Sequence, residues 1–313
     1  MNVSVIIPAY NVEAFIEKAI NSVLQQSQVV EVLVINDGSN DGTREIIESI
    51  TDSRVQLLHH SDAVNKGRSA SRNLGLQNAQ SDYIAFLDAD DYYLPGRFDL
   101  DEQLFQSHQE ISGVYNAVGF TYLNLETVSQ HDLPEATTLS KVIEPEHLGV
   151  ELVRGQYGHL HLNGLTVKRN VAMTFKFPEH LPVAEDTIWI WKLAFNHLLL
   201  SGKLKENAAM RCVHETNIFN NTAVYTQYEQ AVFKEMLDWS LRERKELHVI
   251  EMFMERLFIT TDKNNQGLGK LFKVWCSTFM KNSRLLFSNL TWKYFPIHYK
   301  RKSIKNKISG LWN

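Results

Sequence analysis

The chain has 313 residues, 44% of them apolar and 22% charged, which excludes disordered and fibrous classes and leaves room for one α/β core with an appendage or for two domains. Its net charge of −4 hides an asymmetry: 11 of the 32 Lys and Arg, and none of the 36 Asp and Glu, fall in residues 263–313. Only two cysteines occur, Cys212 and Cys276, without metal-type spacing, so a disulfide scaffold is excluded and two buried free thiols in a reducing compartment are expected. The N-terminus has no basic region or cleavage site before its first apolar run, and no run approaches the roughly 18 to 20 residues of a membrane span. The expected location is the cytoplasm.

Val3 to Ala9 reads as a first strand, stopped near Pro8, with a loop beginning at Tyr10-Asn11. Phe15, Ile16, Ala19, Ile20, Val23 and Leu24 then recur at helical spacing. A second strand, Glu31 to Ile35, ends in the polar loop Asn36-Asp37-Gly38-Ser39-Asn40-Asp41-Gly42-Thr43 and a helix to about Ile50. This succession is the opening of a parallel nucleotide-binding sheet. Asp37 is suited to accept from a uracil imide N–H or a ribose hydroxyl, or to serve as a turn residue; Asp41-Gly42 reads as turn chemistry.

Val55 to His59 forms a third strand, and Asn65-Lys66-Gly67-Arg68 opens a helix to about Ala79. Lys66, Arg68 and Arg72 at that helix start can meet phosphate, or pair with nearby aspartates. Tyr83 to Leu87 is a short apolar run that ends in Asp88-Ala89-Asp90-Asp91. A strand covered on both faces places its functional groups beyond its carboxyl end. Three carboxylates so close suit a hard divalent cation, Mg²⁺ or Mn²⁺, shared with a diphosphate. Asp91 reads first as the cap of a following helix.

Four ordered blocks carry a resemblance: Pro8-Ala9-Tyr10-Asn11; Asn36-Asp37-Gly38-Ser39 with Asp41-Gly42-Thr43; Asn65-Lys66-Gly67 through Arg72-Asn73-Leu74-Gly75-Leu76; and Phe86-Leu87-Asp88-Ala89-Asp90-Asp91. Together they resemble the motifs of a family 2 glycosyltransferase of GT-A fold, of the bacterial surface-polysaccharide type. The resemblance, strong through about Arg97 and patchy to about Asn217, implies an α/β fold: a Rossmann-like, mostly parallel sheet flanked by helices, with a catalytic domain over 1–220; beyond it the helical pattern reads as a C-terminal extension over 221–313. It implies that Pro8, Tyr10, Asn11 and Asp37 line the nucleoside pocket, that Lys66 and Arg72 lie near the donor, that Asp88 meets the ribose and that Asp90 holds Mn²⁺ or Mg²⁺ on the diphosphate.

Further on, Arg97 to Ser107 reads as a helix, Ile111 to Phe120 as one strand, Glu146 to Arg154 as a helix and Leu162 to Val167 as strand-like. His159 and His161, at alternating positions, fit a polar cleft more often than a metal site. Glu185-Asp186 opens an apolar helix with two tryptophans; the resemblance implies that this pair faces the acceptor and that Asp186 is the general base, with Glu185 beside it. Acid at a helix N-terminus also satisfies the macrodipole. His214, in Arg211-Cys212-Val213-His214-Glu215-Thr216-Asn217, loosely matches the family's Arg-His strand end and is a metal or diphosphate candidate, or a structural histidine; Met210 and Asn217 depart from the pattern.

From Tyr225 the pattern is helical, and residues 263–313 interleave bases with aromatics such as Trp275, Trp292 and Trp312. That suits peripheral contact with a membrane's inner face, with nucleic acid disfavoured by the acidic body and a dimerising or merely solvated helical tail the alternative. The expected reaction is a metal-dependent, inverting transfer of one sugar from a nucleotide-sugar donor, a UDP-sugar foremost, to a saccharide or lipid-linked saccharide acceptor. The competing reading is a non-catalytic nucleotide-sugar-binding scaffold, and oligomerisation is compatible with either. A sugar-nucleotide pyrophosphorylase would need a Gly-rich, Arg-containing first loop, and a processive synthase would need membrane spans and Gln-x-x-Arg-Trp; both are absent from the sequence.

Overall fold

In a computed structural model, residues 1–62, 64–122, 135–214, 222–263, 267–280 and 282–300 are described. The chain divides into two compact units, 1–221 and 222–313.

The first unit begins with β1 (Val3–Ala9), α1 (Ile16–Leu24), β2 (Val29–Asn36), α2 (Thr43–Ser49), β3 (Val55–His59), α3 (Arg68–Asn78) and β4 (Tyr83–Phe86). It continues through β5 (Tyr92–Tyr93), α4 (Asp99–Ser107), β6 (Gly113–Tyr115), β7 (Ala117–Tyr122), β8 (Ala136–Thr137), α5 (Pro145–Arg154), β9 (Leu165–Lys168), α6 (Arg169–Ala172), α7 (Glu185–Ala194), β10 (Leu199–Ser201) and β11 (Asn207–Val213). A seven-stranded sheet runs in the order β10-β6-β9-β4-β1-β2-β3, with β9 antiparallel to both its neighbours and the other pairings parallel. A second sheet, β5-β11-β7-β8, adjoins it in sequence.

Every residue of β1 is buried, as a central strand of apolar, β-branched residues covered on both faces requires. Helix α3 lies close against this strand because Gly75 has no side chain: an added Cβ would stand 2.4 Å from the Ile6 Cγ2 methyl. The chain proceeds from β1 outward to β2 and β3, then returns to place β4 on the other side of β1. The strand order therefore reverses between β1 and β4, and ligands of open α/β sheets bind beyond the carboxyl ends of strands at such a point. β1 ends there in Pro8 and Ala9, and Tyr10-Asn11 and Leu87 to Asp91 leave the sheet.

Several expected elements are corrected. The single strand Ile111 to Phe120 is two strands in different sheets, broken at Asn116, whose buried side chain donates to Asp101 Oδ1 at 2.9 Å and accepts from Lys203 N at 2.7 Å. The strand expected from Leu162 starts at Leu165, because Leu162–Gly164 forms a single 3-10 turn whose capping acceptor is the His161 ring. No helix starts at Asp91; β5 follows it and α4 begins only at Asp99, so the cap reading of Asp91 fails. Of the two thiols, Cys212 is buried but Cys276 is partly exposed.

The second unit contains α8 (Thr222–Arg242), α9 (Leu247–Lys263), α10 (Gly267–Phe279), α11 (Ser283–Leu286) and α12 (Asn289–Lys293). Phe253, Phe258, Phe279 and Tyr294 are buried in it. Among the described residues no helix is long and apolar enough to cross a membrane. Glu215 to Asn217 and the terminal basic-aromatic residues Arg301, Lys302, Lys305, Lys307 and Trp312 lie outside the described residues.

Candidate active site

A cleft of about 470 Å³ opens at the reversal point, walled by the ends of β1, β2, β4 and β11. Pro8, Tyr10, Asn11, Asp37, Asp88 and Asp90 all line it, together with Phe15, Arg68, Arg211 and His214. Tyr10 stands at the rim, 46% exposed. Asn11 takes a left-handed backbone conformation (φ 51°); its N–H donates to Ser39 Oγ at 3.1 Å and its side-chain oxygen accepts from Asn40 N at 2.9 Å. These bonds tie the loops after β1 and β2 into one wall.

Asp37 is 2% exposed, and its two oxygens accept from the backbone N–H groups of Lys66 and Gly67 at 2.7 and 2.8 Å. It thereby fixes the turn that starts α3, where Gly67 has a φ of 87° that favours glycine. The side chain of Lys66 does not reach the cleft wall; it pairs with Asp62 at 3.1 Å on the surface. Arg68, one turn position further on, lines the cleft instead and donates to Pro182 O at 3.1 Å.

The three carboxylates after β4 divide by role. The Asp88 carboxylate accepts from Arg72 Nη2 at 2.7 Å; burial opposes its charge, but Arg72 outweighs that and holds its pKa well below the usual carboxylate range. Asp91 is 4% exposed and accepts from Cys212 N at 2.8 Å and from Asn163 Nδ2 at 2.6 Å. Burial first, then the neighbouring Asp90 and Asp88, push its pKa well up. Asp90, which lines the cleft as Asp88 and Asp91 do, meets His214 Nε2 with its Oδ2 at 3.1 Å. The His214 ring stacks on Phe15, centroids 4.9 Å apart and planes at 19°.

Asn163 organises this loop. Fully buried, it accepts from Asp88 N at 3.1 Å, donates to Asp91, and lends its carbonyl to Arg97 Nε at 3.2 Å. Arg97 is in turn paired with Asp101 at 2.8 Å, both fully buried. Through Asp91 and Cys212 the same network holds the end of β11, and so His214, opposite Asp90. His161 is also buried here, its Nε2 4.0 Å from Asp88 and its Nδ1 in contact with Asn163 N at 3.3 Å. Burial, reinforced by Arg211, lowers its pKa to about 4 despite Asp88, so it is neutral at pH 7. His159 is exposed.

Helix α7 brings in the second acidic pair. Ala184 before it is left-handed (φ 60°), an unusual and strained state for a residue with a Cβ, and it turns the chain so that Glu185 and Asp186 enter the first turn. Glu185 is committed: its Oε1 accepts from Arg72 Nη1 at 2.9 Å and pairs with Arg68 at 3.2 Å. Arg72 therefore bridges Glu185 to Asp88 from a fully buried position. Burial works against its charge, yet Asp88 and Glu185 raise its pKa. Asp186 is partly exposed, and its charge is felt by both Arg72 and His161. Its Oδ1 accepts from Thr187 N at 2.7 Å, while Oδ2 has no partner among the described residues.

The Asp90 and His214 donors fit a divalent ion. Their 3.1 Å separation matches the edge, about 3 Å, between adjacent ligands of an octahedral ion with bonds of about 2.1 Å. Among the described residues no three acidic, histidine or cysteine side chains converge. Sequence reasoning passed over Asn163 and Phe15 and gave Asp91 the wrong partner. Asn163 carries no spacing signal, since its partners lie 72 and 75 residues away, and Phe15 reads simply as the first apolar residue of α1.

The family model for glycosyl transferase family 2 matches residues 4–118. The putative teichuronic acid biosynthesis glycosyltransferase TuaG of Bacillus subtilis is 30% identical over 179 residues, 54% of this chain and 69% of that one. Escherichia coli WfgD, a UDP-Glc:α-D-GlcNAc-diphosphoundecaprenol β-1,3-glucosyltransferase, is 32% identical over 149 residues, 45% of this chain and 55% of that one. The chain spans about a third of the length of several other curated relatives. Among solved structures, residues 1–349 of S. aureus TarS in complex with UDP-GlcNAc superpose with a TM-score of 0.64 at 18% identity, covering 98% of this chain and 92% of that one. A mostly parallel sheet reversing between β1 and β4, an acidic loop at the reversal and these matches agree: the chain belongs to glycosyltransferase family 2.

Proposed function

We propose that the chain is a metal-dependent, inverting glycosyltransferase that moves one sugar from a UDP-sugar to a hydroxyl of a saccharide or lipid-linked saccharide acceptor, in the assembly of a bacterial surface glycan. The reading rests chiefly on the meeting of Asp90 and His214 across a cleft that Asp37 and Tyr10 also line. WfgD, whose name gives a UDP-sugar donor and a diphosphoundecaprenol-linked acceptor, supports the choice of substrates.

Residues 1–220 form the catalytic domain in this proposal. The base and ribose lie along Pro8, Tyr10, Asn11 and Asp37, and Asp88, held by Arg72, receives the ribose hydroxyls. Asp90 and His214 would hold Mn²⁺ or Mg²⁺. When bound, the ion supplies positive charge where the leaving diphosphate becomes more negative. Arg68 and Arg211, both on the cleft wall, add cationic groups for the same phosphates.

Asp186 takes the proton of the acceptor hydroxyl through Oδ2 as that oxygen attacks the anomeric carbon, and the bond from that carbon to the diphosphate oxygen breaks on the opposite side. One displacement of this kind inverts the anomeric centre. Glu185 is the positioning partner: its ion pairs with Arg72 and Arg68 hold the first turn of α7 against the donor side.

A thermal-shift screen of UDP, GDP, dTDP and CDP, each with Mn²⁺, Mg²⁺ or EDTA, tests the reading on the wild type and on Asp90→Ala. UDP with a divalent ion at a hundredfold excess over Kd is expected to stabilise the wild type by about 2.7 kcal/mol, with the metal-dependent part absent in Asp90→Ala. If no nucleotide shifts the melt under any metal condition, the reading fails and a scaffold takes its place.

A further inference from the structure

We propose that the C-terminal unit carries a docking surface for an anionic lipid bilayer, centred on Phe272, Trp275, Trp292 and Phe295. These rings form one connected cluster: Phe272 and Trp275 lie 6.1 Å apart, Trp275 and Phe295 5.4 Å, and Trp292 and Phe295 6.2 Å. They come from α10 and from the chain around α12. Aromatic clusters usually close over a core, but this one is open to solvent: Phe272 is 48% exposed and Trp292 69%. Contiguous exposed aromatics mark interaction sites, and tryptophan, with an apolar body and one polar N–H, favours the boundary between headgroups and acyl chains.

Charge selects the partner. Lys270 and Lys273 are exposed on α10, and residues 263–313 contain no acid at all. Two other bases are already matched by carboxylates, Lys293 by Glu251 and Lys300 by Asp262, and Arg284 donates to the carbonyls of Arg244 and Lys245, which narrows the headgroup contacts to Lys270 and Lys273 on α10. A twofold pairing of this face with a second copy would set Lys270 and Lys273 against their own copies, which costs affinity. An anionic headgroup layer supplies the missing negative charge over its whole area, and basic groups with interfacial rings are the two signals that stable peripheral binding needs.

The surface is independent of the transferase reading, and its test reads lipid binding alone. The full chain is sedimented with vesicles of phosphatidylglycerol and, separately, of phosphatidylcholine, and tryptophan emission is followed with brominated lipids. Binding to phosphatidylglycerol with quenching of tryptophan is expected, with little binding to phosphatidylcholine. The double variant Phe272→Ser/Trp292→Ser should lose about tenfold or more in partitioning, and Lys270→Glu/Lys273→Glu should lose preference for the anionic vesicle. Unchanged melting temperature in both variants shows that the fold survives. Equal partitioning to both lipids, or unaltered binding in both variants, overturns the proposal. So does a dimer that Trp292→Ser dissociates while the wild type binds no vesicle.

Discussion

The near wall of the cleft, built by residues 8–91, and the far wall, built by residues 161–214, reach the same place by different routes. On the near wall each group sits within a few residues of a strand end, so Pro8, Asp37 and Asp88 occupy the cleft because β1, β2 and β4 run parallel. On the far wall His214 lines the cleft just beyond a strand of a second sheet, and it is backed by Asn163 of a 3-10 turn and Glu185 of a helix start, both buried against the cleft's loops. They are held by contacts 72 to 124 residues apart in sequence. The near wall is a product of topology; the far wall is a product of packing. The family model, which ends at residue 118, covers only the first.

The sharpest way to separate the walls is to remove chemistry from the far one without disturbing its packing. Asp186→Asn keeps the shape of the first turn of α7 but cannot take a proton. A fall in kcat of roughly 10² to 10⁴ is expected, with UDP affinity within about threefold of the wild type because the near wall is intact. Steady-state kinetics beside nucleotide calorimetry checks this, and near-normal turnover would take Asp186 out of the role.

Asn163→Ala breaks the comparison from the other side, since Asn163 links both walls. The change removes acceptors and donors from Asp88 N and Asp91 in a fully buried place. A loss of about 2 to 4 kcal/mol in stability is expected, read by urea unfolding. Weaker Mn²⁺-dependent UDP binding should accompany it, because the ends of β4 and β11 no longer hold Asp90 against His214. Stability loss with unaltered metal-dependent binding would reduce Asn163 to a core residue.

These two residues also mark how much was legible in the sequence. The sheet and the acidic loop after β4 could be read because short apolar runs end in polar residues at each turn of a repeating strand-helix pattern. The resemblance named Asp186 because it opens an apolar helix. Asn163 could not be read: an asparagine before a glycine looks like a turn, and its importance arises only when β9 inserts antiparallel between β4 and β6. Asp91 was misassigned for the same reason. Its local sequence suits a helix cap, and only the approach of Cys212 from the second sheet gives it a different partner.

His161 offers a smaller test. Its pKa is lowered to about 4 in the folded chain, below its ordinary value of about 6.5, so the unfolded chain binds the extra proton first as pH falls. Its contribution to stability is therefore complete above pH 6.5 and is lost as pH falls toward 4, by roughly 3 kcal/mol in all. His161→Asn should flatten the stability profile across that window. An unchanged slope would mean that other groups carry the acid sensitivity.

The smallest effect is expected at Lys66, which the resemblance set beside the donor. Its ammonium group pairs with Asp62, both partners 40% or more exposed, and exposed pairs of this kind contribute about 0 to 1 kcal/mol. What the near wall draws from this residue is its backbone N–H, which donates to Asp37, and alanine keeps that donor. Lys66→Ala should therefore leave stability within about 0.5 kcal/mol and kcat/KM within about threefold. A loss of a hundredfold would mean that the side chain swings from Asp62 to the diphosphate when donor binds, and the near wall would then owe part of its chemistry to movement rather than to strand topology alone.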